Sequence, residues 1–153
     1  MALYLVQHGK SRPKNEDPRQ GLSSQGAAET QRIAQVAAQY EVRVACILHS
    51  GKDRAAQTAE IFATALNPPH GIRRIEGIAP LDDVPSFAQG LDIAKDEMIV
   101  GHLPFLERLV AHLVTGRPEP PVFRMQNGGI VCLDYYPETI QPVIRWALMP
   151  HVG

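Results

Sequence analysis

Residues 44–66, VACILHSGKDRAAQTAEIFATAL, contain the pattern that decides the fold. An apolar run over residues 44–48 meets a polar turn with a glycine, and apolar side chains then recur at helical spacing from about Arg54 onward. The run is short and rich in strand formers, so it predicts a buried strand that leads into an amphipathic helix. Asn67-Pro68-Pro69 ends that helix, because proline cannot continue it.

The same strand–turn–helix unit recurs near the N-terminus and in the second half of the chain. Gly21 to Ser24 offer a cap for the N-terminal helix, while Pro104 and Gly116 are natural start and stop signals for the later one. A weaker strand, a short helix at 85–94 and a C-terminal hairpin complete the pattern. The predicted strands cover residues 2–6, 44–48, 72–75, 98–100, 130–136 and 143–148.

Strands that alternate with helices predict a parallel sheet covered on both faces. We therefore expect an α/β fold, a three-layer sandwich with a mostly parallel central sheet and a C-terminal β-hairpin. A chain of 153 residues with 44% hydrophobic residues suits one domain over residues 1–153. A domain of this size buries roughly 68–70% of the surface that its unfolded chain exposes.

The charge balance excludes some classes of partner. Fifteen Lys and Arg against sixteen Asp and Glu give a net charge of −1, which favours neither general nucleic-acid binding nor binding to a membrane surface. Cys46 and Cys132 lie in apolar stretches and are expected to be buried free thiols of a reducing compartment. With no signal-peptide pattern and no long apolar run, we expect a cytoplasmic protein.

Polar residues at three predicted strand ends indicate a site for an anion. Gln7-His8-Gly9, the stretch from Ser50 to Arg54, and Gly101-His102 all follow strands whose carboxyl ends meet at one edge of the sheet. Helix starts and a guanidinium in the first turn of a helix favour phosphate there. Two imidazoles and an arginine also suit phosphoryl transfer, in which a neutral imidazole attacks phosphorus and the other groups offset charge on the oxygens.

Other interpretations of these residues stay open. His49 together with His8 and His102 resembles a three-histidine metal site, but no acidic ligand accompanies them, and we expect no metal and no cofactor. The stretch from Gln126 to Gly129 is most simply a turn before a strand. The loop 10–20 carries four basic and two acidic side chains, an excess that could help to dock an acidic partner.

Four segments in order resemble the histidine phosphatase superfamily. Gln7-His8-Gly9 stands where that family has Arg-His-Gly at the end of its first strand, and Leu22-Ser23-Ser24-Gln25-Gly26 is similar to its Leu-Ser/Thr-x-x-Gly helix entry. Residues 50–59, SGKDRAAQTA, are similar to its Ser-x-x-x-Arg-Ala-x-Gln-Thr-Ala segment, and Gly101-His102 resembles the second catalytic histidine. The short length is similar to the SixA-like phosphohistidine phosphatases.

The resemblance implies roles for individual residues. His8 would be the nucleophile, and Arg54 and His102 the phosphate clamp, with no metal required. Gln7 would join these three as a phosphate-binding residue. The substrate implied is a phosphorylated protein, such as the phosphohistidine of a phosphorelay domain in signalling, and the product is inorganic phosphate. Asp83, or Asp82 beside it, is the candidate for proton transfer.

Gln7 is the departure from the family pattern. It removes one permanent positive charge, and a hydrogen bond to a charged group is worth about 1.5–3 kcal/mol, so turnover is expected to fall on the order of ten- to a hundredfold. Lys10 or Lys52 could restore charge without restoring planar two-point contact. Three functions therefore remain: a metal-independent phosphohistidine phosphatase, a non-catalytic or weakly active binder of phosphate or phosphoprotein, and a phosphatase of small phosphate esters.

Overall fold

A computed structural model of the chain describes residues 1–152, so Gly153, the last residue of the expected domain range, lies outside the described residues. The described residues form one six-stranded sheet and four α-helices. In chain order the elements are β1 (Leu3–Gln7), α1 (Ser24–Gln39), β2 (Cys46–His49), α2 (Asp53–Leu66), β3 (Ile72–Arg74), α3 (Val84–Gln89), β4 (Glu97–Gly101), α4 (Phe105–Thr115), β5 (Ile130–Tyr135) and β6 (Pro142–Leu148).

The strands lie in the order β3-β2-β4-β1-β5-β6. The first four strands of the chain are parallel, whereas β5 runs antiparallel to β1 and pairs with β6 as an antiparallel hairpin. The predicted α/β class, the mostly parallel sheet and the C-terminal hairpin are therefore confirmed. Strand β4 lies between β1 and β2, so the three strands that precede the motif residues are direct neighbours.

Helices cover both faces of the sheet, as the alternating pattern predicted. Helices α1 and α2 pack on one face through small and aromatic side chains such as Ala37, Ala59 and Phe62. Helices α3 and α4 pack on the other face, where Leu106 and Leu109 are completely buried. Both cysteines are buried free thiols, as expected from their apolar surroundings.

Several predicted boundaries differ from the structure, most of them by one or two residues. The short helix predicted over 85–94 is α3, which ends at Gln89, and Gly90 caps it with bonds from its N–H to the carbonyls of Phe87 and Ala88. The following chain turns inward and buries Ile93, which is 3% exposed, so tertiary packing ends the helix early. Strand β1 includes Gln7, one residue beyond the predicted strand, because Gln7 still pairs with Gly101.

The start of α1 follows from its sequence. Ser23 caps the helix, and its side chain accepts a hydrogen bond from the Gly26 amide at 2.9 Å.

Among residues 1–152, no helix has both the length and the apolar character that a membrane span requires.

Candidate active site

The site residues lie at the carboxyl ends of three adjacent strands. His8 directly follows β1, Arg54 opens the helix after β2, and His102 directly follows β4. Because β4 lies between β1 and β2, these residues meet at one edge of the sheet. The imidazole rings of His8 and His102 are 5.0 Å apart between centroids, at an interplanar angle of 51°.

The ring of His8 is fixed by its own loop. Its Nδ1 lies 2.7 Å from the carbonyl oxygen of Gly9, which can only accept a hydrogen bond, so Nδ1 carries the proton in the neutral ring. This tautomer leaves a lone pair on Nε2. Burial lowers the pKa of His8, and the positive charge of Arg54 lowers it further, against the opposing effect of the Gly9 carbonyl. His8 is therefore a neutral imidazole near pH 7.

His102 is more deeply buried, at 2% exposure. Its Nε2 lies 2.6 Å from the hydroxyl oxygen of Ser50, whereas Nδ1 is buried and has no hydrogen-bond partner within residues 1–152. Burial lowers the pKa of His102 to about 4, and the charges of His8, Arg54 and Lys52 act in the same direction. An anion between these groups would therefore meet a favourable electrostatic environment.

Arg54 is the fixed positive charge of the site. It is the second residue of α2, where the helix dipole alone disfavours a cation, and it forms no ion pair with a carboxylate of residues 1–152. Its half-buried side chain lowers the pKa of both His8 and His102. A cation close to two imidazoles without a carboxylate partner is suited to an anionic ligand.

A hydroxyl connects the start of α2 to the loop that carries His8. Thr58 is completely buried, and its Oγ1 accepts a hydrogen bond from the Gly9 amide at 2.9 Å. The same hydroxyl donates to the carbonyl of Arg54 at 2.7 Å. The backbones that carry His8 and Arg54 are thus held in a fixed relation.

Gln7 is the last residue of β1. Its Oε1 is buried without a hydrogen-bond partner in residues 1–152, and its backbone carbonyl accepts from the amide of Gly128 at 2.8 Å. Lys52 and Lys10, the two candidates to restore positive charge, have different surroundings. Lys52 acts electrostatically on His102, whereas Lys10 lines a cleft together with Gln7.

The carboxylates expected to transfer a proton have structural roles instead. Asp82 accepts a hydrogen bond from the Ala79 amide at 2.8 Å, and Asp83 caps α3 by accepting from the Ser86 amide at 2.9 Å. Hydrogen bonds from the hydroxyl and the amide of Ser86 lower the pKa of Asp83, which makes it a poor acid. Proton transfer by Asp83 or Asp82 stays a prediction.

The structure also bears on the three-histidine alternative. His49 ends β2, and its Nδ1 accepts a hydrogen bond from the Gly51 amide at 3.0 Å, so one of its two possible ligand atoms is engaged. Within the described part of the chain, no group of three or more His, Cys, Asp or Glu side chains has the arrangement to hold a metal ion.

Two positioning contacts escaped sequence reasoning. The side-chain amide of Asn127 donates to the backbone carbonyl of His8 at 2.9 Å, although the stretch 126–129 was interpreted as a simple turn. Ser50 was quoted only as part of a motif, yet it orients the ring of His102. An asparagine before two glycines at the start of a strand is a recognisable signal for such a turn, but not for its contact across 119 positions.

Comparison with known proteins shows the family of the chain. Residues 3–77 match the model of the histidine phosphatase superfamily, branch 1. The phosphohistidine phosphatase SixA of Escherichia coli (strain K12) is 26% identical over 156 residues, which cover 98% of this chain and 94% of that protein. An uncharacterized protein of Picosynechococcus sp. is 34% identical over 141 residues, 87% of this chain and 84% of that protein.

A solved structure shares the fold over nearly the whole chain. The protein histidine phosphatase SixA complexed with tungstate superimposes with a TM-score of 0.80 at 23% identity, and the match covers 98% of this chain and 97% of that one. The sequence motifs, the family model and the relatives lead to one assignment: this chain belongs to the histidine phosphatase superfamily, a family of phosphatases.

Proposed function

We propose that this protein is a metal-independent phosphatase that removes a phosphoryl group from a histidine of another protein, through a phosphohistidine intermediate on His8. The observation that carries the proposal is the state of His8. Its Nδ1 proton is held by the Gly9 carbonyl and its pKa is lowered, so Nε2 presents a lone pair next to Arg54 and His102.

The chemistry proceeds in two displacements. Nε2 of His8 attacks phosphorus, and a P–N bond to His8 forms while the bond from phosphorus to the substrate imidazole breaks. When the second ring nitrogen of the substrate imidazole carries a proton, that ring leaves as neutral imidazole and needs no acid from the enzyme. Water then attacks phosphorus, gives up a proton and releases inorganic phosphate, which regenerates His8.

The remaining groups suit the phosphoryl oxygens. Arg54 can bind two oxygens at once through its planar guanidinium, and this charge offsets the charge that develops in the transition state. The unpartnered Nδ1 of His102 can donate a further hydrogen bond if its Nε2 accepts from the Ser50 hydroxyl. In that tautomer His102 binds phosphate as a neutral donor, which agrees with its low pKa.

Two observations favour a phosphohistidine substrate over an ester. Among residues 1–152, no carboxylate is hydrogen-bonded to His8, Arg54 or His102, where it could protonate an alkoxide, and Asp82 and Asp83 serve as turn and helix caps. A protonated imidazole leaves without such an acid. The relative with a stated activity, SixA of Escherichia coli, is named a phosphohistidine phosphatase.

A trapping experiment tests the mechanism. The protein is mixed with a protein phosphorylated on histidine, quenched without acid and analysed by intact mass, which should show the phosphorylated enzyme for the natural sequence and not for His8→Ala. The matched control is His70→Ala. His70 is exposed and precedes the amino end of β3, whereas the candidate site lies at the carboxyl ends of the strands. Unchanged phosphate release by His8→Ala would refute the mechanism.

Gln7 favours a second candidate function, a protein that binds phosphate or phosphoprotein and turns it over weakly or not at all. Its buried amide oxygen has no partner, and no guanidinium is available at this position. Under this alternative the natural sequence binds phosphate without releasing it from substrates, and Gln7→Arg creates activity. Efficient turnover by the natural sequence would eliminate it. A panel of small phosphate esters tested beside the phosphoprotein separates both candidates from a small-ester phosphatase.

A further inference from the structure

We propose that the cleft beside Gln7 binds an acidic segment of the polypeptide that carries the phosphohistidine. This inference rests on the proposed function and adds to it the chemistry by which the substrate protein is recognised. It is carried by the position of the cleft, by the charges that line it and by the rigidity of its walls.

The cleft adjoins the nucleophile directly. It has a volume of about 710 Å³, and Gln7, the residue before His8, forms part of its lining. Asn127 lines the cleft and also donates a hydrogen bond to the backbone carbonyl of His8, so it contacts both the cleft and the candidate active site. A chain that leaves the phosphate site on this side therefore enters the cleft. Its other walls are the first turns of α1, the segment before β5 and the end of the chain at residues 151–152.

The cleft presents positive charge that the protein itself does not neutralise. Lys10 and Arg124 are exposed and line the cleft, and neither forms an ion pair with a carboxylate of the described residues. The one acidic residue in the lining, Glu29, is hydrogen-bonded to the ring of His151, and its side chain is only 18% exposed. Since the whole chain has a net charge of −1, this positive charge is a local feature.

The walls of the cleft are held by backbone contacts. The carbonyl of Lys10 accepts hydrogen bonds from the amide and the hydroxyl of Ser23, at 2.9 and 3.1 Å. Gly26 packs so closely against it that a Cβ there would lie 2.0 Å from the Lys10 oxygen. On the opposite wall, the side-chain amide of Gln126 forms two hydrogen bonds of 2.9 Å with the backbone of His151. Because these walls are already ordered, little conformational entropy is lost in the cleft when a peptide binds.

The lining favours polypeptide over nucleic acid. Nucleic-acid grooves without sequence preference combine basic residues with aromatic rings on which bases stack. The described residues that line the cleft include basic residues but no Phe, Tyr or Trp, and the exposed side-chain amide of Gln25 can pair with a peptide backbone. Carboxylates of an acidic peptide match Lys10 and Arg124.

The test uses two synthetic peptides phosphorylated on one histidine, identical except that glutamates flank the histidine in one and glutamines in the other. The ratio of kcat/KM for the two peptides is measured as phosphate release. For two exposed charge pairs we expect the natural sequence to prefer the glutamate peptide about fivefold. Lys10→Gln combined with Arg124→Gln should reduce this ratio to about one.

A matched control separates local from general charge. Arg43→Gln combined with Lys95→Gln removes the same charge from exposed positions before β2 and β4, at the opposite edge of the sheet, and should keep the preference. Equal rates on both peptides for the natural sequence, or equal loss of preference in the control pair, would overturn the proposal. So would tighter binding of a single-stranded oligonucleotide than of the glutamate peptide, if it depended on Lys10 and Arg124.

A binding measurement distinguishes this proposal from the proposed function. Fluorescence anisotropy with the unphosphorylated glutamate peptide reports on the cleft without any chemistry. If neither phosphopeptide releases phosphate, the proposed function fails, and this inference falls with it even where the peptide binds. If phosphate is released but the glutamate peptide binds no better than the glutamine peptide, the docking proposal alone fails.

Discussion

The buried ring of His102 should make the stability of the protein depend on pH. His102 is 2% exposed and has a pKa of about 4, whereas an unperturbed histidine of the unfolded chain has a pKa of 6.5. The unfolded chain therefore binds this proton more tightly than the folded protein. Through His102, the free energy of unfolding is highest above about pH 6.5 and falls as the pH drops from 6.5 to about 4. Below about pH 4 this group lowers it no further.

The size of the effect follows from the two pKa values. At about 1.4 kcal/mol per pH unit, the drop from 6.5 to about 4 corresponds to about 3 kcal/mol at full development. Between pH 8 and pH 5, the free energy of unfolding should fall by about 2 kcal/mol through His102. The pKa of His8 is also lowered, so His8 adds a contribution of the same sign.

Urea unfolding followed by circular dichroism at several pH values measures this dependence. The comparison is between the natural sequence and His102→Gln, whose free energy of unfolding should vary less with pH by about the same 2 kcal/mol. Because the slopes with pH are compared, a variant of lower overall stability is still informative. His70→Gln is the control, since His70 is exposed and should leave the slope unchanged. Equal slopes for the natural sequence and His102→Gln would refute the reasoning.

Three further substitutions test the framework of the site. Gly26→Ala should lower the free energy of unfolding, measured by thermal unfolding, by about 1–3 kcal/mol, because its Cβ would fall 2.0 Å from a backbone oxygen. In the same experiment Gly90→Ala should change it by less than about 1 kcal/mol, since no atom lies nearer than 4.0 Å to the added Cβ. Thr58→Val should lower the free energy of unfolding in urea by about 1–3 kcal/mol, because it leaves the buried amide of Gly9 without its acceptor. Thr64→Val, on the exposed face of the same helix, should lower it by less than about 0.5 kcal/mol, and equal losses would contradict the role of Thr58 in holding this loop. Asn127→Asp should lower kcat for phosphate release about tenfold or more, since a carboxylate cannot donate to the backbone carbonyl of His8 and repels phosphate. An unchanged kcat would show that this contact does not position His8.

The fold was largely predictable because hydrophobic patterning and helix signals agree along the chain. Pro104 and Gly116 bound α4 as expected, and the glycine adopts the left-handed conformation with a φ of 85°. Local patterns could not fix the end of α3, since the burial of Ile93 depends on the core formed by distant elements. Strand order is a tertiary property for the same reason, so the position of β4 between β1 and β2 could not be read from the sequence.

The site was predictable where the chemistry follows the end of a strand. His8 and His102 each come directly after a buried strand, so convergence at one sheet edge places them together, and their rings are 5.0 Å apart. The contacts that orient them involve residues far away in the chain, such as Asn127, and no local signal specifies them. The sequence did not distinguish a proton donor from a cap at Asp82 and Asp83, because a carboxylate before a short helix serves equally well as a cap.

The position of β4 has a consequence for the order in which the protein can form. Strands β1 and β2 do not pair directly: β2 has β3 on one side and β4 on the other, whereas β4 is the one parallel partner of β1 and is synthesised about fifty residues after β2. In the complete sheet β4 fills the two strand spacings, about 10 Å, that separate β1 from β2. His8 follows the strand on one side of β4, Arg54 lies in the helix after the strand on the other side, and His102 follows β4 itself. The candidate site therefore exists only once β4 stands between the two other strands.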